Sequence, residues 1–356
     1  MKVVFRVDSS FRMGSGHFMR CLTLAEALHA QDVQVSFISR DHPGNIVHML
    51  HKQAIPVTVL PAPTISESSH CEDYAEWLGV TQAEDAAETL EALYGRYPDW
   101  LVVDHYGLGI EWEQQVRSNV KKLMVIDDLA SRSHDCDLLL DQNYSTEGEQ
   151  RYAKLVPVTC KLLLGPRYAL LQHEFRSIRG HLKSRKHKLK RILVFFTTGD
   201  DQGETLKAMH GIESFGPVEH VDVVVGLSNL SNAEIINKCQ QLKWVYHCQI
   251  DYMPKLIAEA DLVIGGGGSS NWERCALGVP SLVTILAENQ APITEALGRA
   301  GIIDNLGWNS TLKPSDYEKA LKNITSNTLE EMSEKAIKLV DAKGAERVAA
   351  ILLDKQ

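Results

Sequence analysis

The chain has 356 residues, 44% hydrophobic and 23% charged, with a formal net charge of -9. That length accommodates two cores of ordinary size more readily than one, and the acidic balance gives no general electrostatic ground for nucleic acid or an anionic membrane as partner. No apolar run approaches the length of a membrane span, the amino terminus lacks a signal peptide's apolar core and cleavage site, and the seven cysteines form no metal-ligand spacing, so a cytoplasmic protein with reduced thiols is expected.

The runs VVFRV, VQVSFI, IPVTV, LVVDH, KLMVIDD and CDLLLD read as strands, with helical spacing over residues 16–30 and 69–94. The rhythm restarts after residue 190 with RILVFF, VDVVVG, LKWVYH, DLVIGG and SLVTI, interspersed with helical spacing over residues 204–214, 232–241 and 271–277. Residues 314–353 have the spacing of two helices, the last packing back on the first domain. The expected class is therefore α/β, with a Rossmann-like domain over residues 1–170, a second over 191–340, and a terminal helix over 341–356. Between the domains, residues 171–190 form an expected basic connector; RSIRGHLKSRKHKLKR, residues 176–191, carries eight Lys/Arg and no Asp/Glu and reads as a solvated face rather than a polyanion site.

The first glycine-rich turn is RMGSGHFMRCLTLAEAL, residues 12–28. Gly14 and Gly16 permit a tight approach, but neither a dinucleotide fingerprint nor a Walker loop is complete. The helix that follows is supported by Phe18, Cys21, Leu22, Ala25 and Leu28 at three- and four-residue spacing. His17 falls in its first turn, at the carboxyl end of the first strand, where open α/β sheets bind ligands and a helix terminus favours neutral imidazole. That is the form a general base needs. Asp8 either orients His17 or meets a sugar hydroxyl, and Arg12 either binds phosphate or forms a local ion pair. Arg20, three residues beyond His17, shares its helix face.

The matching loop in the second half is ADLVIGGGGSSNWERCALGVP, residues 260–280. Gly265, Gly266, Gly267 and Gly268 follow a strand, and Ser269, Ser270 and Asn271 offer caps for the next helix. Backbone N–H groups there suit a diphosphate. Glu273 can accept the two hydroxyls of a ribose, while Asn289 and Gln290, just past LVTILAE, are candidates for phosphate or sugar groups. Asp104, His105 and Tyr106 in VVDHYGL stand at another strand end as candidate sugar-pocket residues. Asp127 and Asp128 are two carboxylates without convergent ligands, and no metal or other cofactor is expected.

Through RVDSSFRMGSGHFMRCLTLAEAL, LVVDHYGL, VIDDLASRSHDCDLLLDQN, LLGPRYALL, DLVIGGGGSSNWERCALGVPSL and the ENQ segment, the sequence resembles the UDP-sugar hydrolases of pseudaminic acid biosynthesis. These enzymes are similar to MurG-type glycosyltransferase-B proteins. The resemblance implies two Rossmann-like domains facing a cleft, UDP held chiefly by the second, no obligatory metal, and release of UDP and 2,4-diacetamido-2,4,6-trideoxy-L-altrose from UDP-2,4-diacetamido-2,4,6-trideoxy-β-L-altropyranose. The sugar then enters synthesis of a nonulosonic acid used in flagellin glycosylation and on other surface glycans. The family's catalytic histidine matches His17, with Asp8 as its neighbour, and Asn271 and Glu273 fall where nucleotide and ribose are contacted. One departure stands out: the family's GGSD-like turn is FFTTGDDQGE here, where Thr197 and Thr198 add bulk while Gly199 and Asp200 keep part of the chemistry. A UDP-sugar glycosyltransferase of the same architecture and a hydrolase of another UDP-sugar remain the rival readings.

Overall fold

The computed structural model describes residues 1–63, 74–182 and 188–354. Residues 69–73 of the second expected helix and 183–187 of the basic segment lie outside these. Two compact units divide the chain: residues 1–143, 147–170 and 344 onward, and residues 144–146 with 171–343.

The first unit is a parallel sheet of Lys2–Val7 (β1), Gln34–Arg40 (β2), Val57–Leu60 (β3), Trp100–Asp104 (β4), Lys122–Ile126 (β5), Leu138–Asp141 (β6) and Lys161–Leu164 (β7). Their spatial order is β3-β2-β1-β4-β5-β6-β7. The helices Gly16–His29 (α1), His48–Lys52 (α2), Gln82–Ala92 (α3) and Ile110–Val116 (α4) interleave with these strands. Parallel strands covered on both faces read as continuous apolar runs because neither face meets water. Alternation sorts β1 accordingly: Val3, Phe5 and Val7 join Phe18, Cys21 and Leu22 of α1 in one core, while Val4 joins Leu101, Val103 and Trp112 in the other.

The second unit opens with His173–Arg179 (α5) and repeats the winding through Arg191–Phe195 (β8), Glu204–Phe215 (α6), His220–Val225 (β9), Asn232–Leu242 (α7), Val245–Cys248 (β10), Met253–Glu259 (α8), Leu262–Gly266 (β11), Ser270–Ala276 (α9), Ser281–Ile285 (β12), Ala291–Arg299 (α10) and Asp304–Trp308 (β13). Its sheet runs β10-β9-β8-β11-β12-β13. Pro314–Asn323 (α11), Ser326–Leu339 (α12) and Gly344–Leu352 (α13) complete the chain. In each sheet the winding reverses at the first-formed central strand, so the β1/β4 and β8/β11 strand ends are topological switch points. Among the described residues no helix is long and apolar enough to cross a membrane.

Several elements differ from expectation. Two edge strands, β7 and β13, go unanticipated: KLLL is short, and DNLGW is polar and only half buried. The expected helix over 69–94 is, where described, a 3-10 turn at Tyr74–Leu78 and a separate α3; Gly79 breaks the run at φ +71, and the Thr81 side chain caps α3 by accepting from Glu84 N. The expected two terminal helices are three, with Thr325 capping α12. The basic connector also shortens: α5 belongs to the second unit, where Arg179 donates to Ala276 O at 2.5 Å and Ile337 O at 2.8 Å. The terminal α13 lies in the first unit's core through Val348, Ala349 and Leu352, and Trp100 Nε1 donates to Leu352 O at 3.1 Å.

Candidate active site

The loop after β1 is built around Ser10 and Gly14. Ser10 Oγ accepts from Arg12 N at 3.2 Å and Met13 N at 3.0 Å, and Gly14 N donates to Ser10 O at 2.9 Å. Gly14 has φ +71, a region where a Cβ is disfavoured. This tight turn starts α1 at Gly16 and leaves His17 in its first turn, with 11% of the side chain exposed.

Strand parity decides which carboxylate meets that histidine. Val7 is in register with Asp104 of β4, so Asp104 faces α1 as Val7 does. His17 Nδ1 lies 2.6 Å from Asp104 Oδ1, and Arg20 reaches the same carboxylate from Nε at 2.5 Å and Nη2 at 2.7 Å. Because a carboxylate only accepts, His17 Nδ1 carries the proton in this contact, and Nε2 is the ring nitrogen left off the carboxylate. Arg20 Nη1 also donates to Asp128 Oδ2 at 3.0 Å, and Tyr106 donates its hydroxyl to Asp128 Oδ1 at 2.5 Å. The Tyr106 ring stands edge-on to His17 with centroids 4.4 Å apart. Burial alone would raise the Asp104 pKa, but Arg20 and His17 outweigh it and hold the group well below the carboxylate range. Asp104 is therefore a fixed negative charge behind the imidazole.

Asp8, expected beside His17, sits on the opposite parity and is fully buried. Its Oδ1 accepts from Arg6 Nη1 at 2.5 Å and Arg40 N at 2.7 Å, while His105 Nε2 lies 3.4 Å from its Oδ2. Arg6 in turn pairs with Asp85 of α3, which explains a charge inside β1: Arg6 and Asp8, two residues apart, share the face that α3 covers. His105 is likewise buried rather than pocket-lining; its Nδ1 accepts from Gly107 N at 2.9 Å, and burial lowers its pKa to about 3, keeping it neutral. Arg12 forms an ion pair, Nη1 to Glu76 Oε2 at 3.7 Å. Asp127 and Asp128, just past β5, have separate partners: Arg132 Nη1 reaches Asp127 at 2.9 Å, while Asp128 is held by Arg20 and Tyr106.

In the second unit, none of the four consecutive glycines has positive φ. A Cβ on Gly265 would lie 2.1 Å from Phe195 O, on Gly266 2.6 Å from Phe196 O, and on Gly267 2.2 Å from Thr294 Oγ1. These three glycines let β11 and its loop approach β8 and α10. Gly268 is the open one, with nothing nearer than Gln290 Nε2 at 3.7 Å. Ser269 is exposed and Gly268 and Ser270 half-buried, so the accessible part of the loop is short.

Asn271, expected to contact nucleotide, is fully buried: its Nδ2 donates to Gly267 O at 2.9 Å and its Oδ1 accepts from Arg274. Its amide braces the loop from beneath. Gln290 does so from the side, accepting from Gly267 N at 3.2 Å and Leu286 N at 3.0 Å. Asn289 is half-buried on the adjoining 3-10 turn Glu288–Gln290. Glu273 is half-buried, and burial pushes its carboxyl up to about 7. Beneath the loop, Arg274 donates to Gly266 O at 2.9 Å and Ser270 Oγ at 3.3 Å. Thr198, the bulky departure, packs its carbonyl where a Cβ on Gly226 would lie at 1.6 Å; glycine at the end of β9 makes room for it.

Comparison with known proteins matches both halves. No family model matches the chain. It is 25% identical over 305 residues to the UDP-2,4-diacetamido-2,4,6-trideoxy-beta-L-altropyranose hydrolase of Campylobacter jejuni, covering 85% of this chain and 97% of that one. By sequence, the chain resembles a UDP-sugar hydrolase. It is also 22% identical over 361 residues to the spore coat polysaccharide biosynthesis protein SpsG of Bacillus subtilis, covering 99% and 98%. A third relative, the uncharacterized protein MJ1062 of Methanocaldococcus jannaschii, is 23% identical over 299 residues; the match covers 82% of this chain but only 56% of that longer protein. Among solved structures, MurG of Acinetobacter baumannii has a TM-score of 0.68 at 15% identity, covering 99% of this chain and 100% of the other. Arabidopsis thaliana UGT89C1 complexed with UDP has a TM-score of 0.70 at 13% identity, covering 99% of each. The fold is that of the glycosyltransferase-B enzymes.

Proposed function

We propose that the chain hydrolyses a UDP-linked sugar, UDP-2,4-diacetamido-2,4,6-trideoxy-β-L-altropyranose, to UDP and the free diacetamido sugar in the cytoplasm, without a metal. The observation that carries this reading is the His17 Nδ1–Asp104 contact at 2.6 Å, with Arg20 closed on the same carboxylate. It leaves one imidazole nitrogen free to take a proton, and the relative from Campylobacter jejuni supplies the substrate class.

In this mechanism water attacks C1 from the face opposite UDP. Its proton passes to His17 Nε2 as the new C–O bond forms, and the C1–O bond to the β-phosphate breaks with its electron pair leaving on UDP. One displacement inverts the anomeric centre. Asp104 stabilises the imidazolium that results. The second unit holds the nucleotide: backbone N–H groups at Gly268, Ser269 and Ser270 receive the diphosphate, Glu273 accepts the ribose hydroxyls, and Asn289 with Gln290 borders them. The likeness to MurG and UGT89C1 favours a second reading, transfer of the sugar to an acceptor hydroxyl.

Purified protein, donor and EDTA, followed by direct product analysis, separates the two. Hydrolysis predicts equal amounts of UDP and free sugar with no acceptor present; turnover only on adding an acceptor supports transfer. The variant His17→Asn is expected to lose turnover by at least about a hundredfold while retaining UDP binding. Turnover comparable to wild type would remove His17 from the base role.

A further inference from the structure

Beyond the base itself, three aromatic rings gather at His17. Tyr74 and Trp77 lie on the 3-10 turn Tyr74–Leu78, and Tyr106 follows β4. Their centroids are 4.9 Å apart for Tyr74 and Trp77, 4.9 Å for Tyr74 and Tyr106, and 5.6 Å for Trp77 and Tyr106. His17 stands edge-on to Tyr106 at 4.4 Å and to Trp77 at 6.4 Å. A cluster that served only as core would be closed to solvent, yet Tyr74 and Trp77 are half-buried. The approach of this turn is built in: a Cβ on Gly107 would lie 3.0 Å from Tyr74 O and 3.1 Å from the His105 ring.

We propose that Tyr74, Trp77 and Tyr106 form an aromatic subsite that selects donor sugars presenting methyl groups rather than hydroxyls, namely 6-deoxy sugars and those with acetamido methyls. The inference rests on the reading of His17 as the base at C1, because a sugar carbon reacting at His17 must bring the rest of its ring within reach of these side chains. Apolar C–H bonds carry slight positive charge and suit the negative faces of aromatic rings. A hydroxyl pressed on the same faces gives up water without gaining a partner, which disfavours a 6-hydroxy sugar. Tyr106 spends its hydroxyl on Asp128 and is itself buried, so it backs the cluster while the half-buried Tyr74 and Trp77 present their rings. Trp77 is then a specificity residue, and its effect falls on the sugar and not on UDP.

The test compares wild type, Trp77→Leu and Trp77→Phe on the diacetamido-trideoxy donor and on UDP-glucose, which keeps its 6-hydroxyl and has no acetamido methyl. Trp77→Leu keeps apolar volume and loses the ring. It is expected to lower kcat/KM on the 6-deoxy donor about tenfold, to narrow the preference over the 6-hydroxy donor by a similar factor, and to leave the inhibition constant of UDP unchanged; Trp77→Phe should restore most of the preference. An unchanged preference ratio in Trp77→Leu overturns the proposal, as does an equal loss on both donors. Saturation-transfer NMR with the free diacetamido sugar gives a readout independent of turnover. Binding that Trp77→Leu abolishes supports the subsite even if wild type hydrolyses neither donor, a result that would instead sink the hydrolase reading. Absence of binding to wild type at millimolar sugar overturns the subsite.

Discussion

At the scale of single residues, two aspartates that look alike in the sequence have different environments. Asp104 meets His17 and Arg20, whereas Asp8 neutralises Arg6 inside the sheet. Asp104→Asn is expected to lower kcat by about a hundred- to ten-thousandfold with UDP affinity little changed, because an amide no longer enforces the proton on Nδ1. Asp8→Asn should instead cost about 3–5 kcal/mol of stability, since it leaves a buried guanidinium short of its counter-charge. Denaturant melts and steady-state kinetics check both; the opposite pattern would return Asp8 to the catalytic role. The distinction was available from strand parity, since Trp100, Val102 and Asp104 alternate with Leu101 and Val103. It required knowing that β1 and β4 are neighbours in register, which no local pattern reveals. Glu273 offers a pH test. With its carboxyl raised to about 7 by burial, it is protonated below neutrality and has both oxygens free to accept above. UDP affinity should rise through pH 7, and Glu273→Gln should remove that part of the rise; titration calorimetry of the two proteins over pH 6–8 decides it, and parallel profiles would exclude Glu273 from the ribose.

At the scale of elements, the glycine-rich stretches separate into turn-makers and spacers. Gly14 serves a left-handed turn, while Gly265, Gly266 and Gly267 serve close packing. Gly265→Ala places a methyl 2.1 Å from Phe195 O, so it should destabilise the second unit by about 3 kcal/mol or more and abolish UDP binding. Gly268→Ala has room and should fold like wild type. Thermal melts of the pair distinguish packing from conformational freedom; equal melting of both variants would remove the close-packing account. The strand-to-helix rhythm was legible because buried parallel strands are apolar throughout. The elements that escaped it have weak signatures: β7 has four residues, β13 is a half-buried edge, and the Tyr74–Leu78 turn holds helical spacing without being an α-helix. The braced state of Asn271 escaped as well, because a cap-forming residue after glycines looks the same whether its amide turns inward or out.

At the scale of the whole molecule, the two units repeat one winding, each with a loop at its switch point, yet the chemistry of the loops is unequal. The first carries an imidazole tied to a fixed carboxylate; the second carries exposed backbone, a carboxyl near neutrality and the buried cation of Arg274. That inequality supports assigning bond cleavage to the first unit and nucleotide binding to the second. Overall winding and both loops were readable from the residues, but the extent of each unit was not. The connector contributes α5 to the second unit, and the chain's end returns to the first through α13. In the proposed reaction, water activated at His17 attacks the sugar carbon. Hydrolysis in ¹⁸O-water followed by mass spectrometry tests it most directly. One ¹⁸O in the anomeric hydroxyl of the released sugar and none in UDP is expected, with turnover lost in His17→Asn; label in the β-phosphate of UDP, or no release of sugar without an added acceptor, would contradict water attack at C1.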